Sequence, residues 1–290
     1  MAINWFPGHM HKARKEIKKI MPEVDLVIEV LDARIPFSSE NPLVPALRGN
    51  TPALKILNKS DLADPAVTQR WLRHLERTPG VKAVALTQKQ PGEVSGLLNL
   101  IPELLKHRNL EKRTVRVLIL GIPNVGKSTL INTLAGRAIA KTGNEPAITK
   151  MLQRIQLPNN IVLLDTPGFL WPKLSPEECG YRLATTGAIK DTVIEFDDVA
   201  MFAIDYLRTA YPDALVNRYQ LQEPLPASAV EIMDAIGARR GCLRRGGGAD
   251  LHKVAEILLN ELRSGALGRI SLETPEMIAQ MMQATRPETE

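Results

Sequence analysis

Two glycines, an ammonium and a hydroxyl stand together in Gly121-Ile-Pro-Asn-Val-Gly126-Lys127-Ser128, at the spacing Gly-x-x-x-x-Gly-Lys-Ser/Thr. That combination binds the phosphates of a nucleoside triphosphate. Gly121 permits a tight turn and Gly126 lets the backbone approach an anion closely. Lys127 is of a length to reach the β- and γ-phosphates, and the Ser128 hydroxyl is a Mg²⁺ ligand. Asn124, Val125 and Thr129 complete the phosphate-facing stretch. The chemistry requires a strand before the loop and a helix after it, so that backbone N–H groups and a helix N-terminus converge on one anion. Both are present. Val115 to Leu120 is a short apolar run that reads as a buried parallel strand, and Thr129 to Leu134 puts Leu130, Ile131 and Leu134 on one helical face.

The phosphate loop does not choose a base. Asn58-Lys59-Ser60-Asp61 does, following the strand-like run Ala53 to Leu57. A carboxylate offers two acceptor oxygens. Guanine presents adjacent N1–H and N2–H₂ donors to such a pair, and adenine has none. Lys59 can lie along the base and Asn58 can brace neighbouring loops. A third motif, Asp165-Thr166-Pro167-Gly168, follows the apolar run Ile161 to Leu164. Asp165 is placed to hold Mg²⁺ through water, and the Gly168 N–H to sense the γ-phosphate. The three motifs together specify GTP.

Their order is unusual, because the base-reading motif precedes the phosphate loop by some sixty residues. One pocket still results if the same sheet is built from a chain cut at a different place, a circular permutation that closely spaced termini make tolerable. The opening Asn4-Trp-Phe-Pro-Gly-His9-Met10, Lys12-Ala13, and the triad Asp32, Arg34 and Pro36 narrow the comparison further. With them, essentially the whole chain resembles the ribosome biogenesis GTPase A family, whose members help assemble the large ribosomal subunit. The resemblance implies an α/β fold: a circularly permuted, doubly wound and mostly parallel GTPase sheet, then a smaller all-α domain. It implies that Thr149, in a polar stretch after Gly136, is a second Mg²⁺ ligand. It also implies a base-contacting turn at Thr87-Gln88, although Gln88 stands where the family carries a small residue.

The positioning of the attacking water is the open point of chemistry. Ras-type enzymes carry a Gln after the Asp-x-x-Gly motif. Here the sequence runs Phe169-Leu170-Trp171, with no side-chain amide. The resemblance gives the role to His9, whose imidazole can orient water while Gly8 lets the arm swing. A histidine that only anchors the arm is the competing reading. Asn124 matches the loop variant associated with K⁺-stimulated GTPases, and an ordinary turn asparagine is the alternative.

The surrounding elements divide the 290 residues as follows. Residues 1–22 read as an arm and a helix with Met10, Ala13, Ile17 and Ile20 on one face and Lys12, Arg14 and Lys15 among the cations on the other. Residues 23–174 read as the GTPase domain, with strands from Val24, Ala53, Val81, Val115, Met151 and Ile161 and helices over 65–77 and from Leu97 to Leu105. An Asp32–Arg34 pair reads as a brace for the Pro- and Ser-rich loop after it. Residues 175–283 read as helical. Leu251 to Leu262 is the clearest helix, capped by Asp250 and Gly265, and residues 284–290 form a tail. Before that helix, Arg239, Arg240, Arg244 and Arg245 flank a glycine run, with Arg263 and Arg269 adding charge nearby. Each basic segment reads either as a solvated surface or as a phosphate-contacting one.

The net charge of +5 suits a polyanionic partner. Cys179 and Cys242 lack metal or disulfide spacing and read as free thiols. No apolar run approaches the ~20 residues of a membrane span. A monomeric cytoplasmic protein is expected. The sequence reading is a GTP-hydrolysing assembly factor that binds the immature large ribosomal subunit through ribosomal RNA and protein and is released after hydrolysis. An RNA-binding module using GTP structurally, or a GTPase acting on another RNA, are the alternatives.

Overall fold

The apolar runs assemble side by side into one sheet. The computed structural model describes residues 15–87, 89–106, 113–140, 152–168, 170–171 and 174–284. The strands are β1 (Leu26–Asp32), β2 (Ala53–Asn58), β3 (Val81–Ala85), β4 (Val115–Gly121), β5 (Gln153–Leu157) and β6 (Ile161–Asp165). Their spatial order is β3-β2-β1-β4-β6-β5. Every pairing is parallel except that of β5 with β6. Those two, the strands expected from Met151 and Ile161, form a hairpin around Pro158-Asn-Asn160. Asn159 and Asn160 both take the left-handed conformation, at φ 60° and 56°, which Asn tolerates better than other side-chain residues.

The strand order explains how motifs in an unusual sequence can share one pocket. From β1 the chain moves outward through β2 and β3, then returns to place β4 on the other side of β1. The order reverses between β1 and β4, and ligands of open parallel sheets bind at such a switch point, beyond the carboxyl ends of the strands. The segments leaving β1, β2, β4 and β6 there carry Asp32, Asn58 to Asp61, the phosphate loop and Asp165. All seven β1 residues are buried, as a central parallel strand requires.

The helices between the strands are α1 (Pro36–Ser39), α2 (Val44–Arg48), α3 (Pro65–Leu75), α4 (Pro91–Leu104) and α5 (Lys127–Ala135). Helix α4 starts six residues before the expected Leu97. Gly92 and Gly96 disguise its first turns, and Pro91 stands in the first turn, where a missing N–H costs nothing. Residues 15–20 are helical, with Ile17 fully buried and Lys15, Lys18 and Lys19 exposed.

After β6 the described chain is helical: α6 (Glu178–Thr185), α7 (Phe196–Ala210), α8 (Pro212–Tyr219), α9 (Ala229–Arg240), α10 (Leu251–Ser264) and α11 (Pro275–Ala284). The buried face of α10 is an apolar stripe of Val254, Ala255, Leu258, Leu259 and Leu262, with Leu251 half-buried at its start. Asp250 caps it by accepting from the Lys253 N–H, and Gly265 ends it at φ 83°. The last segment turns back to the sheet layer. Ile278 joins Leu31, Leu57, Trp71 and Leu75 in one apolar cluster, and the Trp71 indole donates to the Glu273 carbonyl at 3.1 Å. Glu273 is fully buried. It accepts from the Ser38 N–H and hydroxyl at 2.9 and 2.6 Å and faces Arg182 of α6 at 3.8 Å. That knot joins the sheet layer, the helical half and the C-terminal segment. Leaving one charge of such a buried pair unmatched costs about 3–5 kcal/mol.

Candidate functional site

The phosphate loop runs from the end of β4 to the start of α5. A Cβ on Gly121 would lie 3.0 Å from both the Val30 carbonyl oxygen and Val125 Cγ1, so a side chain has no room there. The loop turns through left-handed conformations at Asn124 and Gly126, φ 57° and 93°. These bring Lys127 to the first turn of α5, where the helix N-terminus favours anions. Lys127 is buried and ion-pairs with Asp165 from the end of β6. Burial raises the Asp165 carboxyl despite the opposing pull of Lys127. The Asp165 Oδ2 is buried without a hydrogen-bond partner among the described residues. A buried acceptor oxygen of this kind fits a hard cation, and the half-buried Ser128 hydroxyl and exposed Thr129 follow Lys127 on the same turn. Thr149 lies outside the described residues. Gly168 packs on the loop so closely that a Cβ would stand 3.2 Å from Pro123 Cα and N.

The base-reading segment is built onto that loop. The fully buried Asn58 donates its amide to the Val125 carbonyl at 2.6 Å, which is the brace expected of it. Lys59 adopts φ 58° and donates to the Asn124 carbonyl at 2.7 Å and to Asp32 at 3.2 Å. Asp32 also receives the Arg34 guanidinium at 2.9 and 2.7 Å, so the predicted brace exists and additionally steers Lys59. Burial alone would raise the Asp32 carboxyl, but Arg34 and Lys59 hold it far below the usual carboxylate range. The Ser60 N–H donates to the Leu86 carbonyl at 3.0 Å, tying the loop after β2 to the end of β3. Asp61 accepts from the Thr87 hydroxyl at 2.9 Å and pairs with the exposed Lys89 at 2.7 Å. Partial burial raises its carboxyl, and Lys89 and Thr87 more than reverse this, so Asp61 is an ionised acceptor pair. Gln88 lies outside the described residues.

The helical half touches both loops. The Asn124 amide donates to the Gly187 carbonyl at 2.8 Å, in the turn after α6. Arg263 holds that turn by donating to the Ala184 and Thr185 carbonyls at 2.8 and 3.1 Å and by pairing with Asp191. Arg269 donates to the Ala63 and Ser60 carbonyls, both at 3.1 Å. The sequence reading grouped Arg263 and Arg269 with the basic loop. In the structure both guanidinium groups donate to backbone carbonyls beside the nucleotide loops. Arg240 shares Glu261 with Arg218 and lies over the Tyr219 ring at 5.3 Å. Arg239, Arg244 and Arg245 are exposed, and Gly246, Gly247 and Gly248 all have φ near or above 79°. His9, Lys12 and Arg14 lie outside the described residues, as does Phe169. Leu170 and Trp171 are buried among apolar groups. Gly187 and Arg269 escaped the sequence reading as parts of the site, since their contacts span 63 and more than 200 residues.

Comparison with known proteins gives the family. The family described as "50S ribosome-binding GTPase" matches residues 116–231. The Ribosome biogenesis GTPase A of Priestia megaterium is 46% identical over 283 residues, 95% of this chain and 98% of that relative. The chain belongs to the ribosome biogenesis GTPase A family. The protein of the same name from Bacillus pumilus is 44% identical over 95% of this chain and all of its own length. The crystal structure of GNP-bound YlqF from T. maritima shares the fold at a TM-score of 0.65 and 28% identity, over 92% of this chain and 99% of that one. As a ribosome biogenesis GTPase A family member, the chain is an α/β GTPase of ribosome biogenesis. Its motif order and strand order together give the circular permutation. Both cysteines are free and buried. Among the described residues no helix is long and apolar enough to cross a membrane.

Proposed function

We propose that this GTPase binds the immature large ribosomal subunit in its GTP state and leaves it after hydrolysis. The observation that carries the reading is an exposed basic surface, Arg239 in the last turn of α9 with Arg244 and Arg245 in the loop after it, next to the start of helix α10 whose far end abuts the base-reading loop. A glycine-rich basic loop suits RNA phosphates, and Lys15 on the N-terminal helix adds a second exposed cation. Lys12, Arg14 and Arg240 belong to the same RNA-facing assignment. Asp61 reads the guanine edge, with Thr87 and Gln88 beside it, while Asn58, Lys59 and Ser60 hold the loop. Gly126, Lys127, Ser128 and Thr129 take the phosphates, with Asn124 and Val125 shaping the turn. Ser128, Asp165 and Thr149 would hold Mg²⁺, which when bound neutralises charge on the β- and γ-phosphate oxygens. Asn124 is the residue toward K⁺. Gly168 senses the γ-phosphate, and its contact with Pro123 carries that state into the segment ending at the buried Leu170 and Trp171. His9 orients the attacking water once the subunit has seated the arm. The protein works as a cytoplasmic monomer.

Sedimentation with large-subunit particles tests this reading. Co-migration with a non-hydrolysable GTP analogue, release with GDP and subunit-stimulated turnover are expected. Equal binding in both nucleotide states with unchanged turnover would instead indicate an RNA-binding module that holds GTP structurally.

A further inference from the structure

The loop from Asn58 to Ala63 has two sides. On the inside, Asn58 and Lys59 donate to the phosphate loop and Asp61 faces Thr87. On the outside, its carbonyls are taken by the segment that follows α10. Arg269 Nη2 donates to the Ser60 carbonyl and Nε to the Ala63 carbonyl, at 3.1 Å each, bracketing Asp61 in the chain. The Ile270 N–H donates to the Leu62 carbonyl between them at 2.9 Å. Gly265, at the C-cap of α10, presses on the same loop: a Cβ there would lie 2.7 Å from Leu62 Cδ2.

This loop needs holding. Lys59 sits in the left-handed region at φ 58°, which is unfavourable for a residue with a Cβ and persists only where the surroundings impose it. Asp61 must keep two oxygens opposite two donors of the base, and a small rotation of the loop breaks that match. A guanidinium has a planar fork of donors, so it can bind two carbonyls at once and fix their separation.

We infer that Arg269 is a positioning residue for base recognition, holding Asp61 in register with the guanine edge from outside the pocket. It does not touch the nucleotide and acts through the carbonyls of Ser60 and Ala63. The inference rests on the reading that Asp61 binds the base. Arg269 is exposed, so replacing it leaves the core intact.

The test compares the dissociation constants of GDP and inosine diphosphate, which lacks the 2-amino group, for the native protein and for Arg269→Ala, Arg269→Lys and Asp61→Asn. A loosened Asp61 loses two contacts to GDP and one to inosine diphosphate. Arg269→Ala is therefore expected to weaken GDP about tenfold, the effect of one to two hydrogen bonds, and inosine diphosphate by less. Arg269→Lys, which keeps one donor centre, should fall between. Equal losses for both nucleotides, or an unchanged GDP affinity, would overturn the inference. Asp61→Asn separates the underlying reading: if it leaves GDP affinity unchanged, Asp61 does not read the base, whatever Arg269 does.

Discussion

The Lys59 ammonium donates to the backbone carbonyl of Asn124 at 2.7 Å, so the base-reading loop is fastened directly to the phosphate loop. The two halves of nucleotide recognition are therefore tied to each other. Asn58 adds a second tie to Val125, and Asp32 holds Lys59 from behind at 3.2 Å. Lys59→Ala removes the first tie and leaves Asp32 paired with Arg34. Hydrogen bonds of a charged donor are worth about 1.5–3 kcal/mol, so GDP and GTP affinity should each fall about 10- to 100-fold. Titration of a fluorescent guanine nucleotide measures this; native affinity in the variant would mean that the tie is dispensable.

The Lys127–Asp165 pair joins the phosphate loop to the end of β6. Lys127→Ala should abolish measurable hydrolysis, because it removes the cation that meets charge developing on the phosphates. Ser128→Ala should instead raise the Mg²⁺ concentration needed for half-maximal turnover. Normal turnover and normal Mg²⁺ dependence in both variants would remove this loop from the reaction.

Glu29 of β1 is buried beside Lys55 of β2, its partner in the strand register, and accepts from the Asn41 N–H at 3.0 Å. Burial outweighs the attraction of Lys55 and raises its carboxyl from 4.5 to about 7. Between those values the folded protein holds a proton that the unfolded chain has released, so stability falls as pH rises through the window. Glu29→Gln keeps an acceptor for Asn41 and removes the titration. Urea unfolding across that window should show the native protein losing of order 1–3 kcal/mol more than the variant. Parallel pH profiles for the two proteins would assign the slope to other groups.

His9 separates a family-type mechanism from a Ras-like one. Phe169, Leu170 and Trp171 follow Gly168, and none of these side chains carries the amide that would orient water there. His9→Ala should retain GTP and subunit binding and lose about 100-fold of the subunit-stimulated turnover. An anchoring histidine would behave differently, weakening subunit binding and lowering turnover only in proportion. Turnover at saturating large subunits distinguishes the two.

Much of the sheet was legible because central parallel strands are short, continuous apolar runs. Val115 to Leu120 and Ile161 to Leu164 stand out without any periodicity argument, and the observed strands extend each by one residue. The phosphate loop was legible because its geometry constrains residue type at fixed spacing. What stayed hidden is contact between distant segments. Nothing near Arg269 in sequence distinguishes a guanidinium bound to the Ser60 carbonyl from one facing solvent. Glu273 is likewise unremarkable in sequence, yet it is fully buried against Ser38 and Arg182. Helix α4 starts at Pro91 and not at the expected Leu97, because packing overrides the low helix propensity of Gly92 and Gly96.

The strand order has a consequence for how the protein is made. β1 is flanked by β2 on one side and by β4 on the other, and about eighty residues separate its end at Asp32 from the start of β4 at Val115. At roughly 5–20 residues per second of synthesis, β1 waits about 4–16 s after its emergence with one edge unpaired. That edge belongs to a strand buried on both faces, with Val27, Ile28, Val30 and Leu31 all fully buried in the finished protein. An open apolar strand edge is a template for pairing with other chains. A nascent chain of this GTPase that stalls before Val115 is therefore itself an aggregation hazard, and it is a client for whatever shields emerging strands at the tunnel exit.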